Sequence, residues 1–482
     1  MTKVSLAKLG QETGVGFGSS GVRAKIEDLT DRLVYVYTTA FLSYLKQIDQ
    51  IKESVVIAGD LRNSTPRITV AAAKAVTDFG CQIINCGLIP TPAVCFYGFQ
   101  HNIPSIMVTG SHIPDDRNGL KYNCPQEELL KSGEQYIANS EVEIDDHLFD
   151  SNGQFRETEL SLPPSQNPAL EIYIQRYLDF FPNLFLRGKT IALYGHSAVG
   201  REILFEILCK LGAKVIRLGF SDQFKAVDTE AIEEETINLG KQWARQNNFD
   251  AIVSTDGDSD RPLIGDENGN WLRSDILGIL TAKDLGAEAV VVPVSCNTGV
   301  DKSGWFKKVV KTKIGSPYVV EAMKNLVNQG FSNVVGYEGN GGFFLGNQVG
   351  SLKPLVTRDA LIQILSWLKM SVISNKSISK LAEIIPKRYT QSGSLKGFPT
   401  QKSLQIVEVQ TKQTLAILEE NFGSINSVDQ TDGLRVTFDD GDIVHLRPSK
   451  NSPEFRNYCE SDSPDKAKEL SLKAGKLIAS WL

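Results

Sequence analysis

Val55-Val56-Ile57-Ala58-Gly59-Asp60 is an apolar, β-branched run that stops at a glycine turn, and two later runs are built alike. Thr190-Ile191-Ala192-Leu193-Tyr194 precedes Gly195-His196-Ser197, and Ala289-Val290-Val291-Val292-Pro293-Val294 precedes Ser295-Cys296-Asn297. Each has the length of a buried strand and leads into a helical pattern. Further along, each is followed by a second apolar strand that ends in an unusual loop: Ile106-Met107-Val108 before Ser111, Ala251-Ile252-Val253 before Asp256, and Val334-Val335 before Glu338. Alternating strands and helices imply α/β layers whose ligands sit at strand carboxyl ends. The fold class expected is therefore three related mixed/parallel α/β domains plus a smaller C-terminal α+β domain around a central cleft. Periodicity alone is equally compatible with three separate sites; phosphate-type chemistry in each loop favours one.

A chain of 482 residues is too long for a single hydrophobic core, which calls for several domains. The boundaries expected are 1–163, with the Ser111 loop; 164–273, with the acidic loop; 274–386, with the glycine-rich loop; and 387–482. In the last, Leu434 to Phe438 and Ile443 to Leu446 read as a hairpin turning at Asp439-Asp440-Gly441-Asp442, and a closing helix is expected from Asp465 to Trp481. Ser, Gly and Pro accumulate from Gln391 to Thr400 without periodicity, which reads as a hinge linker. A net charge of -6 offers no basic footprint for nucleic acid. No apolar stretch is long enough to span a bilayer, and seven scattered cysteines without a CxxC pair suit a reducing compartment. These features point to a cytoplasmic protein whose partners are small molecules, in a monomer or dimer.

The loop Thr109-Gly110-Ser111-His112-Ile113-Pro114 holds a hydroxyl beside an imidazole, with Lys121 ten residues past Ser111. In isolation such a pair is better explained by a turn serine and a backbone-bonded histidine. Asp256-Gly257-Asp258-Ser259-Asp260-Arg261 is more demanding, because two carboxylates about 4 Å apart repel by about 4 kcal/mol at an effective dielectric near 20. A hard, oxygen-liganded cation answers that crowding, and Mg2+ fits few protein ligands plus a phosphate better than Ca2+ does. An EF-hand reading through Glu267 fails because Arg261 stands where glycine is required. Glu338-Gly339-Asn340-Gly341-Gly342 suits hydroxyl recognition, or equally a glycine-rich turn with an incidental glutamate, and Arg447-Pro448-Ser449-Lys450-Asn451, with Arg456 beyond, gathers phosphate donors, as a common basic surface loop also does. Gly16 to Gly21 matches GxGxxG spacing without a preceding strand, and Ser197 lacks the second glycine of a nucleophile elbow, so both readings are rejected.

In chain order these stretches resemble the α-D-phosphohexomutases, with the C-terminal loop most similar to bacterial phosphomannomutases. Phe17 to Arg23 is similar to FGTSGxR, Gly59 to Arg62 to GxDxR, Thr109 to Lys121 to TASHNPxxxNGxK, Asp256 to Arg261 to DGDxDR, Glu338 to Gly341 to GExSG, and Arg447 to Pro453 to RxSxTxP. The resemblance implies a phosphoserine at Ser111, with Lys121 as general acid/base and Arg23 and His112 in support. It implies Mg2+ on Asp256, Asp258, Asp260 and a phosphoserine oxygen. Arg261, Glu338, Asn340, Arg447, Ser449, Lys450 and Asn451 become substrate contacts, and a hexose 1,6-bisphosphate is the implied intermediate. Mannose phosphates are the first substrate choice, and glucose or glucosamine phosphates the alternatives. A non-catalytic sugar-phosphate binder and a simple phosphatase are the readings from other classes. Gly110, Ile113, Arg117, Asn340, Gly342 and Lys450 depart from the usual pattern.

Overall fold

The computed structural model describes residues 2–18, 20–157, 160–166, 168–449 and 453–482. The three opening runs are the inner strands of three sheets with one strand order. Ser54–Gly59 lies parallel between Gln82–Leu88 and Ser105–Val108, and Arg117–Asn123 returns antiparallel beside the latter. Thr190–Tyr194 lies likewise between Lys214–Leu218 and Ala251–Thr255, with Pro262–Gly265 antiparallel. Ala289–Pro293 repeats this between Lys308–Thr312 and Val334–Tyr337, with Phe343–Leu345 antiparallel. In the first sheet Val22–Lys25 and Gly16–Phe17 extend the antiparallel edge. Residues 109–116, 256–261 and 338–342 are consequently equivalent: each joins the third strand of its sheet to the antiparallel fourth.

Helices cover the sheets through apolar stripes. Thr65–Asp78 starts with proline in its first turn and buries Ile68, Ala71, Ala72, Ala75 and Val76, spaced for one helix face. Ala360–Ser374 is capped by Asp359, whose carboxylate accepts from Leu361 N (3.2 Å), Tyr173 OH (2.9 Å) and the Arg176 guanidinium (3.2 Å). That one buried carboxylate ties the first helix of the second unit to the third unit. One apolar core runs without a break through Val56, Met107, Ile191, Val253, Val290, Val335 and Trp367. The three α/β units are therefore packed as one body.

The fourth unit is an antiparallel sheet of five strands in the order Tyr389–Lys396, Glu454–Ser461, Ile443–Pro448, Leu434–Phe438 and Ile425–Asp429, with the helix Pro464–Ser480 against it. Its core, including Phe398, Val436, Leu446, Phe455 and Ile478, is its own. The expected hairpin is present, with Leu434 opposite Leu446. The expected linker is not. Residues 389–396 form an edge strand paired along its whole length with Glu454–Ser461, from Tyr389 opposite Ser461 to Lys396 opposite Glu454. An edge strand carrying Gln391, Ser392, Gly393 and Ser394 shows little apolar alternation, so its sequence reads as a loop while its backbone completes a ladder.

The GxGxxG look-alike follows a helix, Leu6–Thr13, and Ser197 is a buried turn residue accepting from Lys225 N at 2.7 Å. All seven cysteines are free. Among the described residues no helix is long and apolar enough to cross a membrane.

Candidate active site

Ser111 sits at the end of its strand in left-handed backbone geometry, with φ 55°. Its surroundings contradict the surface position that a polar glycine-bearing loop suggests: Ser111 is fully buried, because the acidic loop of the second unit closes over it. A Cβ on Gly257 would stand 2.7 Å from Ser111 O, so only glycine allows the two loops to approach this closely. The Ser111 hydroxyl donates to Asp256 Oδ2 at 2.8 Å.

The unfavourable backbone of Ser111 is held from below. Ser111 N donates to Thr109 Oγ1 (2.8 Å), and that hydroxyl donates to Asp60 Oδ2 (2.7 Å). Arg62, also buried, spreads its guanidinium under the loop and donates to the carbonyls of Ser111 (2.9 Å), Ile113 (2.6 Å), Pro114 (2.7 Å) and Arg117 (2.9 Å). A Cβ on Gly110 would lie 2.5 Å from Arg62 Cζ, which accounts for glycine there. Asp60 and Arg62 lie in the GxDxR stretch, but sequence gave them no task.

Asp256, Asp258 and Asp260 are buried together, each offering a carboxylate oxygen within 4.8 Å of the others. Asp256 Oδ1 accepts from the backbone N–H of Asp260 and of Arg261, both at 3.1 Å, which curls the loop around it. Asp258 Oδ2 accepts from Thr91 Oγ1 (2.5 Å) and Lys121 Nζ (2.6 Å), and Asp260 Oδ2 from Lys121 Nζ (2.5 Å). Asp258 Oδ1 and Asp260 Oδ1 remain buried without a hydrogen-bond donor, although Arg261 Nε stands 3.5 Å from Asp260 Oδ1. Burial and the two neighbouring carboxylates push Asp256 far above the usual carboxyl range, so this oxygen cluster is short of positive charge. Burial also opposes ionisation of Asp258, but Lys121 and Thr91 hold it well below that range. The cluster thus fits a hard divalent cation by donor type, by geometry and by its unclaimed oxygens. Glu267 takes no part, being bound to Ser379.

Cations line the other side. Arg23, half-buried on the strand next to Lys121's, has a buried Nε without a hydrogen-bond partner, and desolvation together with Arg261 lowers its pKa to about 10. Arg261 Nη1 donates to His112 Nδ1 at 3.0 Å, and that ring nitrogen is 3.4 Å from Ser111 Oγ. Burial, Arg261 and Arg23 hold the His112 pKa down to about 2, so the imidazole is neutral. Lys121 is ionised, since Asp258 and Asp260 outweigh its burial and raise its pKa. With a cation on the three carboxylates, the buried hydroxyl and the under-satisfied guanidinium would suit an anion with several oxygens.

Glu338 stands in the turn closed by Glu338 N to Gly342 O at 2.9 Å, and Asn340 Oδ1 accepts from Gly342 N at 2.9 Å. Sequence missed the partner of Glu338. Arg358 Nε donates to Glu338 Oε2 at 2.6 Å, and Nη1 is 3.4 Å from Ser20 Oγ in the first unit. A Cβ on Gly342 would be 2.5 Å from Arg358 Cγ and Cδ, so that departure from the family pattern makes room for an arginine. Its only signal was the polar triplet Thr357-Arg358-Asp359 before an apolar helix. In the fourth unit Arg447 Nε donates to Asp432 Oδ2 at 2.8 Å and Ser449 is buried. Lys450 and Asn451 lie outside the described residues.

A buried serine hydroxyl against a three-carboxylate cluster, with a guanidinium beside them, is equipment for metal-assisted phosphoryl transfer. Three family profiles match in order: "Phosphoglucomutase/phosphomannomutase, alpha/beta/alpha domain I" over residues 14–147, domain II over 174–269 and domain III over 273–389. The chain is 40% identical over 463 residues to a phosphomannomutase of Salmonella muenchen, covering 95% of this chain and 94% of that protein. It is 37% identical over 465 residues to one of Sinorhizobium fredii, covering 95% and 97%. A Burkholderia thailandensis structure described as a phosphoglucomutase/phosphomannomutase family protein shares the fold, with a TM-score of 0.73 at 18% identity over 99% of this chain and 98% of that one. The chain belongs to the phosphoglucomutase/phosphomannomutase family and is a phosphohexomutase.

Proposed function

We propose that this enzyme interconverts hexose 6-phosphates and hexose 1-phosphates with mannose as the principal sugar, through phosphorylated Ser111 and a bound hexose 1,6-bisphosphate. The observation that carries the reading is the Ser111 hydroxyl at 2.8 Å from Asp256, inside the three-carboxylate cluster and beside the partnerless Arg23. Mannose is supported by the two relatives at 40% and 37% identity, both of them phosphomannomutases.

Ser111 carries the phosphoryl group and passes it to a sugar hydroxyl; the bisphosphate reorients and returns its other phosphoryl group to Ser111. Asp256, Asp258 and Asp260 would hold Mg2+, which supplies positive charge to the phosphoryl oxygens. Arg23 meets the same oxygens with a guanidinium that no protein acceptor has claimed at Nε. Lys121, ionised, would give its proton to the departing oxygen and recover one from the attacking hydroxyl, while neutral His112 orients Arg261. The Arg62 fan keeps Ser111 in place, so the nucleophile needs little reorganisation. Glu338, fixed by Arg358, reads ring hydroxyls, and the Arg447–Ser449 loop takes the phosphate that is not reacting.

Both orientations of the sugar must fit one site, so contacts at C2 cannot be rigid and discrimination between mannose and glucose is modest. Two measurements test this. Peptide mapping after incubation with hexose 1,6-bisphosphate should place one phosphate on the peptide containing Ser111; phosphate on an aspartate would sink the mechanism. Side-by-side kcat/KM for mannose 1-phosphate and glucose 1-phosphate should differ by far less than about 10⁴, the ratio expected of a site built around one buried hydroxyl contact.

A further inference from the structure

Glu230 belongs to none of the motif loops, yet it stands among them. Its segment is bolted to the Glu338 hairpin: Thr229 Oγ1 donates to Asn340 O at 2.6 Å, and Ser274 Oγ donates to Thr229 O at 2.5 Å. Asp228 Oδ1 accepts the N–H groups of Glu230 (2.8 Å) and Ala231 (3.1 Å), forming a tight turn that fixes where the Glu230 side chain leaves the backbone. Its Oε1 is 3.7 Å from the position a Cβ on Gly339 would take. The side chain is exposed to solvent although protein walls surround it, and its carboxylate makes no hydrogen bond or ion pair among the described residues. Arg261 of the acidic loop, Arg273, and Arg456 and Tyr458 of the fourth unit are within electrostatic reach.

A carboxylate that pairs with none of three nearby guanidiniums leaves its oxygens to whatever fills the space between the units. Phosphate is excluded from direct contact with it by like charge, and a cation by the surrounding arginines. Neutral donors remain, and in this cleft those are sugar hydroxyls. We infer that Glu230 is a second substrate-binding carboxylate, which accepts hydrogen bonds from ring hydroxyls of the hexose phosphate across Gly339 from Glu338. The inference rests on the phosphohexomutase reading above and adds a residue to its sugar site. Two carboxylates on separate elements constrain the ring from two directions, while the arginines around Glu230 are engaged elsewhere, Arg273 with Asp275 and Arg456 with Glu454.

The test is Glu230→Gln, which keeps shape and loses charge at an exposed position. Hydrogen bonds to charged groups contribute more than neutral ones, so KM for mannose 1-phosphate should rise about tenfold with kcat within about twofold. The penalty should vanish for one of the 2-, 3- or 4-deoxy analogues, which identifies the hydroxyl. Calorimetric Kd values for the same sugar phosphates, wild type against variant, read the contact without turnover. A wild type that binds these compounds without isomerising them would overturn the mutase reading and leave the Kd comparison to judge Glu230. Equal Kd and KM in variant and wild type, or a fall in kcat at unchanged KM, would overturn the inference.

Discussion

The two sides of the cleft are anchored in opposite ways. The Ser111, Asp256 and Glu338 loops grow from three sheets that share one apolar core, whereas the Arg447 loop belongs to a unit with a separate core. Directed contacts join that unit to the rest: Thr298 N to Glu460 Oε2 at 3.0 Å, Thr390 Oγ1 to Asp275 Oδ2 at 2.5 Å, and Ile314 N to Asp432 Oδ2 at 3.0 Å. A packed core cannot slide without opening voids, whereas parting the fourth unit from the rest exchanges polar contacts of the buried carboxylates Glu460, Asp275 and Asp432 for water and leaves both cores whole. We infer a division of labour in which the groups proposed to react are held rigidly, while the proposed phosphate grip can move with its own unit. Asp432 is central to that division, because one carboxylate holds both Arg447 and the third unit.

The largest expected effect lies on the rigid side. Ser111→Ala should reduce mutase turnover by on the order of 10⁴-fold or more while melting stays cooperative, and kinetics beside calorimetry will show it. Full activity in that variant would remove the covalent mechanism. Arg62→Lys keeps the charge but not the fork that reaches four carbonyls, so kcat should fall by about 10²-fold with little change in KM. An unchanged kcat would mean that the Ser111 loop holds itself.

On the mobile side the effects should be smaller and of another kind. Asp432→Ala releases Arg447 and unlatches the fourth unit, so KM for hexose 1-phosphate should rise roughly tenfold at near-normal kcat, measured by steady-state kinetics. A fall in kcat alone would place the fourth unit with the rigid machinery and break the comparison.

The smallest effect is on stability and distinguishes the two cores. His196 in the second unit and His445 in the fourth are both held by burial at a pKa of about 4, against 6.5 in ordinary surroundings. Below about pH 6.5 the unfolded chain takes up protons that the folded chain refuses until near pH 4, so stability falls as pH falls through that window and is level above it. Scanning calorimetry from pH 7.5 to pH 4.5 should show two transitions, with His445→Asn lessening acid sensitivity in one and His196→Asn in the other. A single transition that responds to both substitutions would mean the cores are coupled.

The repeated units were legible because buried strands are written as contiguous apolar runs: Val55 to Ala58, Thr190 to Tyr194 and Ala289 to Val294 each became an inner strand. The chemical loops were legible for a related reason. Three carboxylates within five residues repel one another however the chain folds, so Asp256, Asp258 and Asp260 announce their own need for positive charge. The edge strand at 389–396 was missed because one-sided pairing leaves weak alternation, and the burial of Ser111 was not legible because nothing local says that another loop covers it. Sequence by itself determined the strands, the order of the loops and the chemistry each carries, all of which depend on neighbours along the chain. Only the tertiary structure decided that Arg62 lies beneath Ser111, that Lys121 reaches Asp258 and Asp260, that Arg358 fills the space left by Gly342, and that Glu230 faces Gly339. Those partners are far apart in sequence, and which of them meet is fixed by strand order and by the shared core that aligns the three sheets.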